Sequence, residues 1–392
     1  MIFARTTART PVVVAARRTP IGTAGRALAD LTVVELGARV LAAVATDVRR
    51  AGASADIGDV VLGNCMGPGG NVARVSALEA GLGDAVPGVT IDRQCASGLA
   101  AFVQAAQGIR GGDADLVLAG GAESASTAPV RAQPGSSPGV PATPYQRAPF
   151  TPAEFGDPDM GMAAEHLASV AGVSRERQDA YAAASHAKAL VAREAGYFDA
   201  ELVAVGQLNC DEHPRRLRES VLARMPAAFV PGGTVTAGNS CPVSDGAAVV
   251  GVVPEAARDG APGLRLVASA VTGCDPRLPG WGPVPAVQQV CDVAGVKIDD
   301  VAAIEIVEAF AGQVLAVTDA LGLDPLADDA GRVCPDGGAL ALGHAWGATS
   351  AVSVVRLFTR LVRGGAAAGT LGLATAAAGG GLGVAALFEV LR

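Results

Sequence analysis

Two stretches of this chain, "RGGDADLVLA" from Arg110 and "RGGAAAGTLGLA" from Arg363, begin alike, and each leads from a helical pattern into a β-type run. A chain that repeats one of its own units this way is constrained to build two like halves, and a pseudo-twofold axis between them is the expected result. The neighbouring segments agree. Before the first copy come "PVVVAA", a helix expected from Thr32 to Ala51, "DVVLGN", a small-residue helix after Cys95 and then "ADLVLAGG". A similar order returns late as "GLRLVASAV", a helix near Val284 to Ala294, "AAIEIVEAF", a helix from Thr349 to Val362, "TLGLATAA" and "LGVAALFEV". Short β-branched runs alternating with alanine-rich helices predict an α/β fold whose sheets are buried on both faces.

Between the halves, residues 129–158 are rich in Pro, Gly and Ser and predict an extended surface excursion. A charged helical stretch (174–197), the basic cluster "HPRRLR" (213–218) and "GGTVTAGNSCPVSDGAA" then return the chain to the first half. The expected division is residues 1–120 with 246–265 for the first half, 121–245 for an inserted loop domain and 266–392 for the second half. An insertion of that length in a compact α/β protein points to function.

Composition narrows the partners. A net charge of -8 with 4% aromatic residues provides neither the basic stripe nor the stacking platform that nucleic acid needs, so no nucleic-acid partner is expected. Lys188 and Lys297 are the only lysines, which leaves any anion site to arginine. The seven scattered cysteines lack a CxxC pair and predict neither a disulfide framework nor a zinc site, hence a reducing compartment. The start "MIFARTTART" leads into an apolar run too short for a signal-peptide core, and no run of eighteen apolar residues follows. The expectation is a cytoplasmic protein with no membrane partner and no metal.

Three segments carry chemistry. In "IDRQCASGL", Cys95 precedes apolar residues at helical spacing, Leu99, Phe102, Val103, Ala106 and Ile109, which puts it at a strand-to-helix turn. The amides and dipole of that helix start would lower a thiol pKa, although a free cysteine reads equally as a core thiol. In "GGALALGHAWGATS", His344 stands in a glycine-rich turn before another helix, catalytic only if it has a partner. The duplication gives it one, since the Cys95 and His344 turns hold comparable places in the two halves. "AAAGGGLGVAA" from Ala376 offers backbone amides to an oxyanion or is a plain strand connection.

Together these segments resemble the thiolase family. The resemblance runs through "VVVAARRTPIG", "VVLGNCMGPGGNVAR", "DRQCASGLAA", "ADLVLAGGAESAS", "DMGMAAEHLA", "TVTAGNSCPVSDGAA", "EAFAGQ", "GGALALGHAWGA" and "GGGLGVA", essentially the whole chain. It implies two βαβαβ-type halves in α/β/α/β/α layers with an inserted coenzyme A-binding loop domain. It implies Cys95 as acyl-accepting nucleophile, His344 as its activator, and the amides of Cys95 and Gly379 as the oxyanion hole. Met160 and Cys241 fall at substrate positions, and Arg215 in "DEHPR" falls near the coenzyme A phosphates. The donor would be acyl-CoA or an acyl carrier protein thioester, with no tightly bound cofactor, and the assembly a homodimer or homotetramer.

The chain departs from that pattern at Val307, where "VEAF" replaces "NEAF" and with it an asparagine that holds a water, and at Ala377, where the family has a second cysteine that moves the α-proton. Ala345 replaces a proline, Asp159 stands where several members have histidine, and Cys241 stands where many have serine. Losing an oxyanion donor costs about 10² to 10³ in rate and losing a general acid–base about 10² to 10⁴. The expectation is therefore an acyltransferase that loads Cys95 and delivers to an amine, a hydroxyl or a decarboxylating malonyl-type carbon, with weak Claisen chemistry otherwise. The alternatives are an ordinary acetyl-CoA acetyltransferase or 3-ketoacyl-CoA thiolase, in which Asp159, His166 or Cys241 replaces the lost thiol, and a non-catalytic acyl-CoA-binding subunit.

Overall fold

The computed structural model describes residues 7–137 and 139–392, so most of the "MIFARTTART" start lies outside the described residues. The chain begins with β1 (Pro11–Arg18), β2 (Gly22–Thr23), α1 (Val33–Arg50), β3 (Asp59–Gly63), α2 (Val72–Glu79), β4 (Val89–Ile91), α3 (Ser97–Gly111) and β5 (Val117–Ser124). The excursion carries β6 (Arg131–Gln133), β7 (Thr143–Tyr145), α4 (Met160–Val170), α5 (Arg175–Glu194) and the single turn α6 (Glu219–Leu222). Then follow β8 (Ser244–Pro254), β9 (Gly263–Gly273), α7 (Pro283–Ala294), β10 (Val301–Ile306), α8 (Ala311–Ala320), α9 (Ala339–Leu342), α10 (Trp346–Leu357), β11 (Leu371–Ala378) and β12 (Leu382–Leu391).

The strands run β10-β11-β12-β9-β1-β8-β5-β3-β4, with β2 paired to β8. Apart from the edge strand β4, which pairs parallel with β3 and has no counterpart in the other half, a parallel pair (β3 with β5, β10 with β11) is followed inward by two antiparallel pairings. The two halves thus repeat one order and one set of senses. They meet where β1 pairs with β9 at only Val12↔Arg265 and Val13↔Leu264.

Side-chain alternation along the strands then sets the layers. On β1, Val12 and Val14 pack with α1 while Val13 and Ala16 pack with α3 and α10. On β12, Val384, Ala386 and Phe388 face the same central helices, whereas Ala385 and Leu387 pack with α7 and α8. Phe102 of α3 meets Phe388 with ring centroids 5.2 Å apart. The result is five layers, α/β/α/β/α, with α3 and α10 in the middle.

Local sequence explains α1 well. Thr32 caps it by accepting from the Glu35 amide at 3.3 Å while Glu35 accepts from the Thr32 amide at 2.9 Å. Leu36, Val40, Leu41, Val44 and Val48 form its buried stripe, each contributing about 1.5–3 kcal/mol by leaving water. The helix expected at Thr349–Val362 instead starts at Trp346 and gives way at Phe358–Arg363 to a wider π turn. Its early start has a distant cause, because the Glu123 carboxylate at the end of β5 accepts from the Gly347 amide at 2.9 Å.

The insertion leaves after Ser124 and returns at Ser244, so the position 121 expected for its start falls inside β5. Position 265 likewise falls inside β9, which pairs with β12 from Gly263 to Gly273. The Pro/Gly/Ser-rich stretch is extended and includes the short antiparallel pair β6–β7. Arg18 of β1, fully buried, holds the insertion to the first half: it donates to Glu201 at 2.7 Å and to both oxygens of Asp211 at 2.6 and 2.8 Å.

Candidate active site

The first turns of α3 and α10 pack on each other through glycine. A Cβ on Gly98 would lie 2.8 Å from the Ala351 amide nitrogen and 3.1 Å from the Gly347 carbonyl oxygen. The Leu99 amide donates to Ser350 Oγ at 3.0 Å across the same contact. Cys95 stands two residues before α3 begins, and His344 two residues before α10 begins. The duplication therefore sets the thiol and the imidazole at equivalent positions on two helix starts that touch.

The Cys95 turn is held tightly. Gln94 takes a left-handed backbone with φ +49°, of a kind that costs of order 1–3 kcal/mol in a non-glycine residue. Local bonds keep it there: the Gln94 amide donates to Asp92 Oδ1 at 2.8 Å, Ser97 Oγ donates to the Gln94 carbonyl at 2.6 Å, and the Arg93 amide donates to Ser97 Oγ at 2.7 Å. Cys95 itself is half-buried. Burial pushes its thiol up to about 12, and the Glu123 and Asp92 carboxylates add to that, while a hydrogen bond from its own amide opposes. The lowered pKa expected from the helix start is thus overturned. Burial outweighs the hydrogen bond from its own amide, the resting group is a thiol, and it needs a base beside it.

His344 is only 2% exposed, and neither ring nitrogen has a hydrogen-bond partner among the described residues. Burial pulls its pKa down to about 4, so at neutral pH it is an uncharged imidazole able to accept a proton. Its backbone is fixed by the 239–244 segment, its amide lying 3.1 Å from Ser244 Oγ and 3.2 Å from the Pro242 carbonyl. The same segment reaches the Val307 turn, where the Cys241 amide donates to the Ala309 carbonyl at 3.1 Å. That turn in turn reaches β11, the Val307 amide donating to the Thr375 carbonyl at 3.0 Å. Val307 is buried in the central core, and Ala377, half-buried, pairs with Gly383. Neither side chain can hold a water or carry a proton.

The other expected residues lie around this cluster. Gly379 opens a turn in which Gly380 and Gly381 have φ +83° and +77°, and a Cβ on Gly379 would strike the Phe150 ring at 2.5 Å. Phe150 is held by Asp157, which accepts from its amide at 3.1 Å, and by the Arg147 guanidinium over its ring at 4.6 Å. Met160 begins α4 and is half-buried. Arg215 is exposed and contacts none of the Cys95–His344 cluster. One guanidinium nitrogen lies 3.0 Å from His213 Nδ1, and its amide donates to His186 Nδ1 at 3.2 Å. Burial, then Arg215 and Arg26, pull His213 down to about 4, a surrounding suited to an anion.

Sequence reasoning passed over Glu123, Cys65 and Phe150. Glu123 is fully buried and accepts from Asn64 Nδ2 at 2.8 Å and from the Cys65, Met66 and Gly347 amides at 3.0, 3.1 and 2.9 Å. It ties the loop after β3 to the start of α10. The one local signal was an acid ending an otherwise apolar strand. Cys65 Sγ donates to the Gln94 carbonyl at 3.1 Å, bracing the Cys95 turn. All seven cysteines are free, no group of three or more His, Cys, Asp or Glu is arranged to hold a metal among the described residues, and no described helix is long and apolar enough to cross a membrane.

Known proteins share this architecture across the whole chain. A Pseudomonas aeruginosa acetyl-CoA acetyltransferase is 39% identical over 397 residues, covering 95% of this chain and 98% of its own. The crystal structure of a Bacillus anthracis acetyl-CoA acetyltransferase superposes with a TM-score of 0.87 at 35% identity, covering 97% of this chain and 99% of that one. Human mitochondrial 3-ketoacyl-CoA thiolase in complex with CoA gives a TM-score of 0.87 at 31% identity, covering 98% of this chain and 99% of that one. Residues 11–256 match the family Thiolase, N-terminal domain, and residues 261–390 match Thiolase, C-terminal domain. With both family domains matched in order on a fold of two repeated halves, the chain belongs to the thiolase family.

Proposed function

We propose that this chain is a thiolase-type acyltransferase that loads an acyl group from a CoA thioester onto Cys95 and passes it to the α-carbon of a second CoA thioester, or runs that sequence backwards as thiolysis. The observation that carries the reading is the enclosed Cys95 thiol and the buried, unpartnered His344 imidazole on two touching, equivalent helix starts. The neutral imidazole takes the thiol proton, the thiolate attacks the thioester carbonyl, and the oxyanion rests on the amides of Cys95 and Gly379 before coenzyme A departs. Arg215 beside His213 is the proposed phosphate contact. Loading needs no metal or tightly bound cofactor. The names of the relatives, acetyl-CoA acetyltransferase and 3-ketoacyl-CoA thiolase, favour the carbon acceptor and a CoA rather than a carrier-protein donor.

A second reading, transfer to an amine, a hydroxyl or a decarboxylating malonyl-type carbon, is favoured by Val307 and Ala377, which remove a water-holding amide and a thiol. Steady-state thiolysis of acetoacetyl-CoA separates the two. The first reading expects an ordinary turnover of about 1–10³ per second, and the second expects loading without it. In the second case Ala377→Cys combined with Val307→Asn raises thiolysis by about 10² or more, and each single change does much less because both act on one transition state. We also propose a cytoplasmic homodimer or homotetramer, on the seven free thiols and on the family resemblance.

A further inference from the structure

We infer that Cys241 is the group that moves the α-proton in this enzyme, in place of the thiol missing at Ala377; the inference rests on the carbon-acceptor reading above. Three side chains compete for that work. Asp159 is exposed and paired with Arg147 at 3.3 Å, and His166 is an exposed residue of α4, so neither is enclosed. Cys241 is half-buried, and its amide bond to Ala309 ties it to the Val307 turn, whose Val307 amide in turn bonds β11 at Thr375. The next residue, Pro242, gives its carbonyl to the His344 amide at 3.2 Å, and Val243 bridges His344. One segment thus carries the second thiol and holds the backbone of His344, whose two ring nitrogens are buried without partners. Burial and the nearby Cys95 and Glu308 push the Cys241 thiol up, so it rests protonated, as the cycle requires.

The proton balance closes with these three groups. His344 takes the Cys95 proton, the thiolate attacks acetyl-CoA, and the departing coenzyme A sulfur takes the proton of Cys241 and leaves as the free thiol. Cys95 is now acetylated, Cys241 is a thiolate and His344 an imidazolium. The thiolate removes an α-proton from a second acetyl-CoA. The carbanion attacks the acetyl carbonyl on Cys95, and the new carbon–carbon bond forms as the carbon–sulfur bond breaks. The expelled Cys95 thiolate recovers its proton from His344. Both thiols and the neutral imidazole are restored, with one coenzyme A and one acetoacetyl-CoA released.

The test follows two readouts on the same protein: acetylation of Cys95 by intact mass after rapid mixing with acetyl-CoA, and exchange of the acetyl α-protons for deuterium in D₂O by proton NMR. Cys241→Ala is expected to slow exchange by about 10² to 10⁴, at least tenfold more than it slows acetylation, and Cys241→Ala with Ala377→Cys to regain most of the exchange. Where the alanine variant fails to fold, Cys241→Ser serves with the same expectation, because a hydroxyl is far too weak an acid to replace the thiol. Exchange that stays within about threefold of wild type in a Cys241 variant that still acetylates overturns the role of Cys241 and leaves the carbon-acceptor reading standing. A wild type that acetylates but shows no exchange overturns both.

Discussion

The two ends of helix α10 carry polar clusters of opposite kinds, one of paired buried charges and one of uncharged groups around an unpartnered imidazole. At its C-terminal end Arg356 pairs with Glu201 and Asp336, and Glu201 and Asp211 also pair with Arg18, whose guanidinium, like that of Arg356, lies over the Phe198 ring at 5.4 and 4.5 Å respectively. Arg356 Nε is the one guanidinium nitrogen of the two arginines left without a partner. At the N-terminal end stand His344, with both ring nitrogens unpaired, and the thiols of Cys95 and Cys241. Satisfied buried charges fix geometry, here the seating of the loop region on both halves. Unpartnered buried polar groups cost stability and are kept where a reacting group must find them.

His344→Ala is expected to slow Cys95 acylation by about 10² to 10⁴, measured as single-turnover loading from acetyl-CoA. The same variant should lose little stability in urea unfolding, because the deleted imidazole left no partner behind. At the other end Arg18→Met should leave Glu201 and Asp211 short of a cation and lower the free energy of unfolding by about 3–5 kcal/mol. Loading by whatever fraction remains folded should be close to normal.

Acid and base sharpen the contrast by sign. Burial holds His344 at about 4 against an ordinary 6.5, and His186 and His213 at about 3 and about 4. Their neutral forms are the folded ones, so the stability they permit is full above pH 6.5 and is lost as pH falls through about 4. Glu305, beside Arg356, is pushed the other way by burial, up to about 8 from 4.5, with Arg356 opposing. Its contribution is full below pH 4.5 and is lost as pH rises through about 8. Denaturant midpoints measured across this range should therefore peak near about pH 6.5 and fall on both sides. Glu305→Gln should flatten the alkaline limb and steepen the acid one between about pH 4.5 and 6.5.

The smallest effect belongs to an exposed charge. Arg215→Ala should weaken coenzyme A binding roughly two- to fivefold at low ionic strength, and the difference should shrink in salt. An affinity unchanged at both salt concentrations would remove Arg215 from the phosphate contact.

What could be read in the sequence was whatever depends on neighbours in the chain. The capping box at Thr32–Glu35, the stripe on α1, the paired turns before α3 and α10 and the duplication itself are written in spacings of a few residues or in the repeat. The pairings that seat the loop region join Arg18 to residues 183 and 193 positions away, and no periodicity announces them. The Glu123 cap on α10 and the Phe150 ring against Gly379 are contacts of the same long-range kind. The direction of the Cys95 shift was misread for a related reason: a helix start is visible in the sequence, whereas how far a thiol is enclosed depends on everything packed around it.

The central claim, an acyl-accepting Cys95 switched on by His344, is tested most directly by intact-mass spectrometry after mixing the protein with acetyl-CoA. A gain of one acetyl group is expected within a single turnover, absent in Cys95→Ala and far slower in His344→Ala. No gain in the wild type, a gain that survives Cys95→Ala, or equal rates with and without His344 would contradict it.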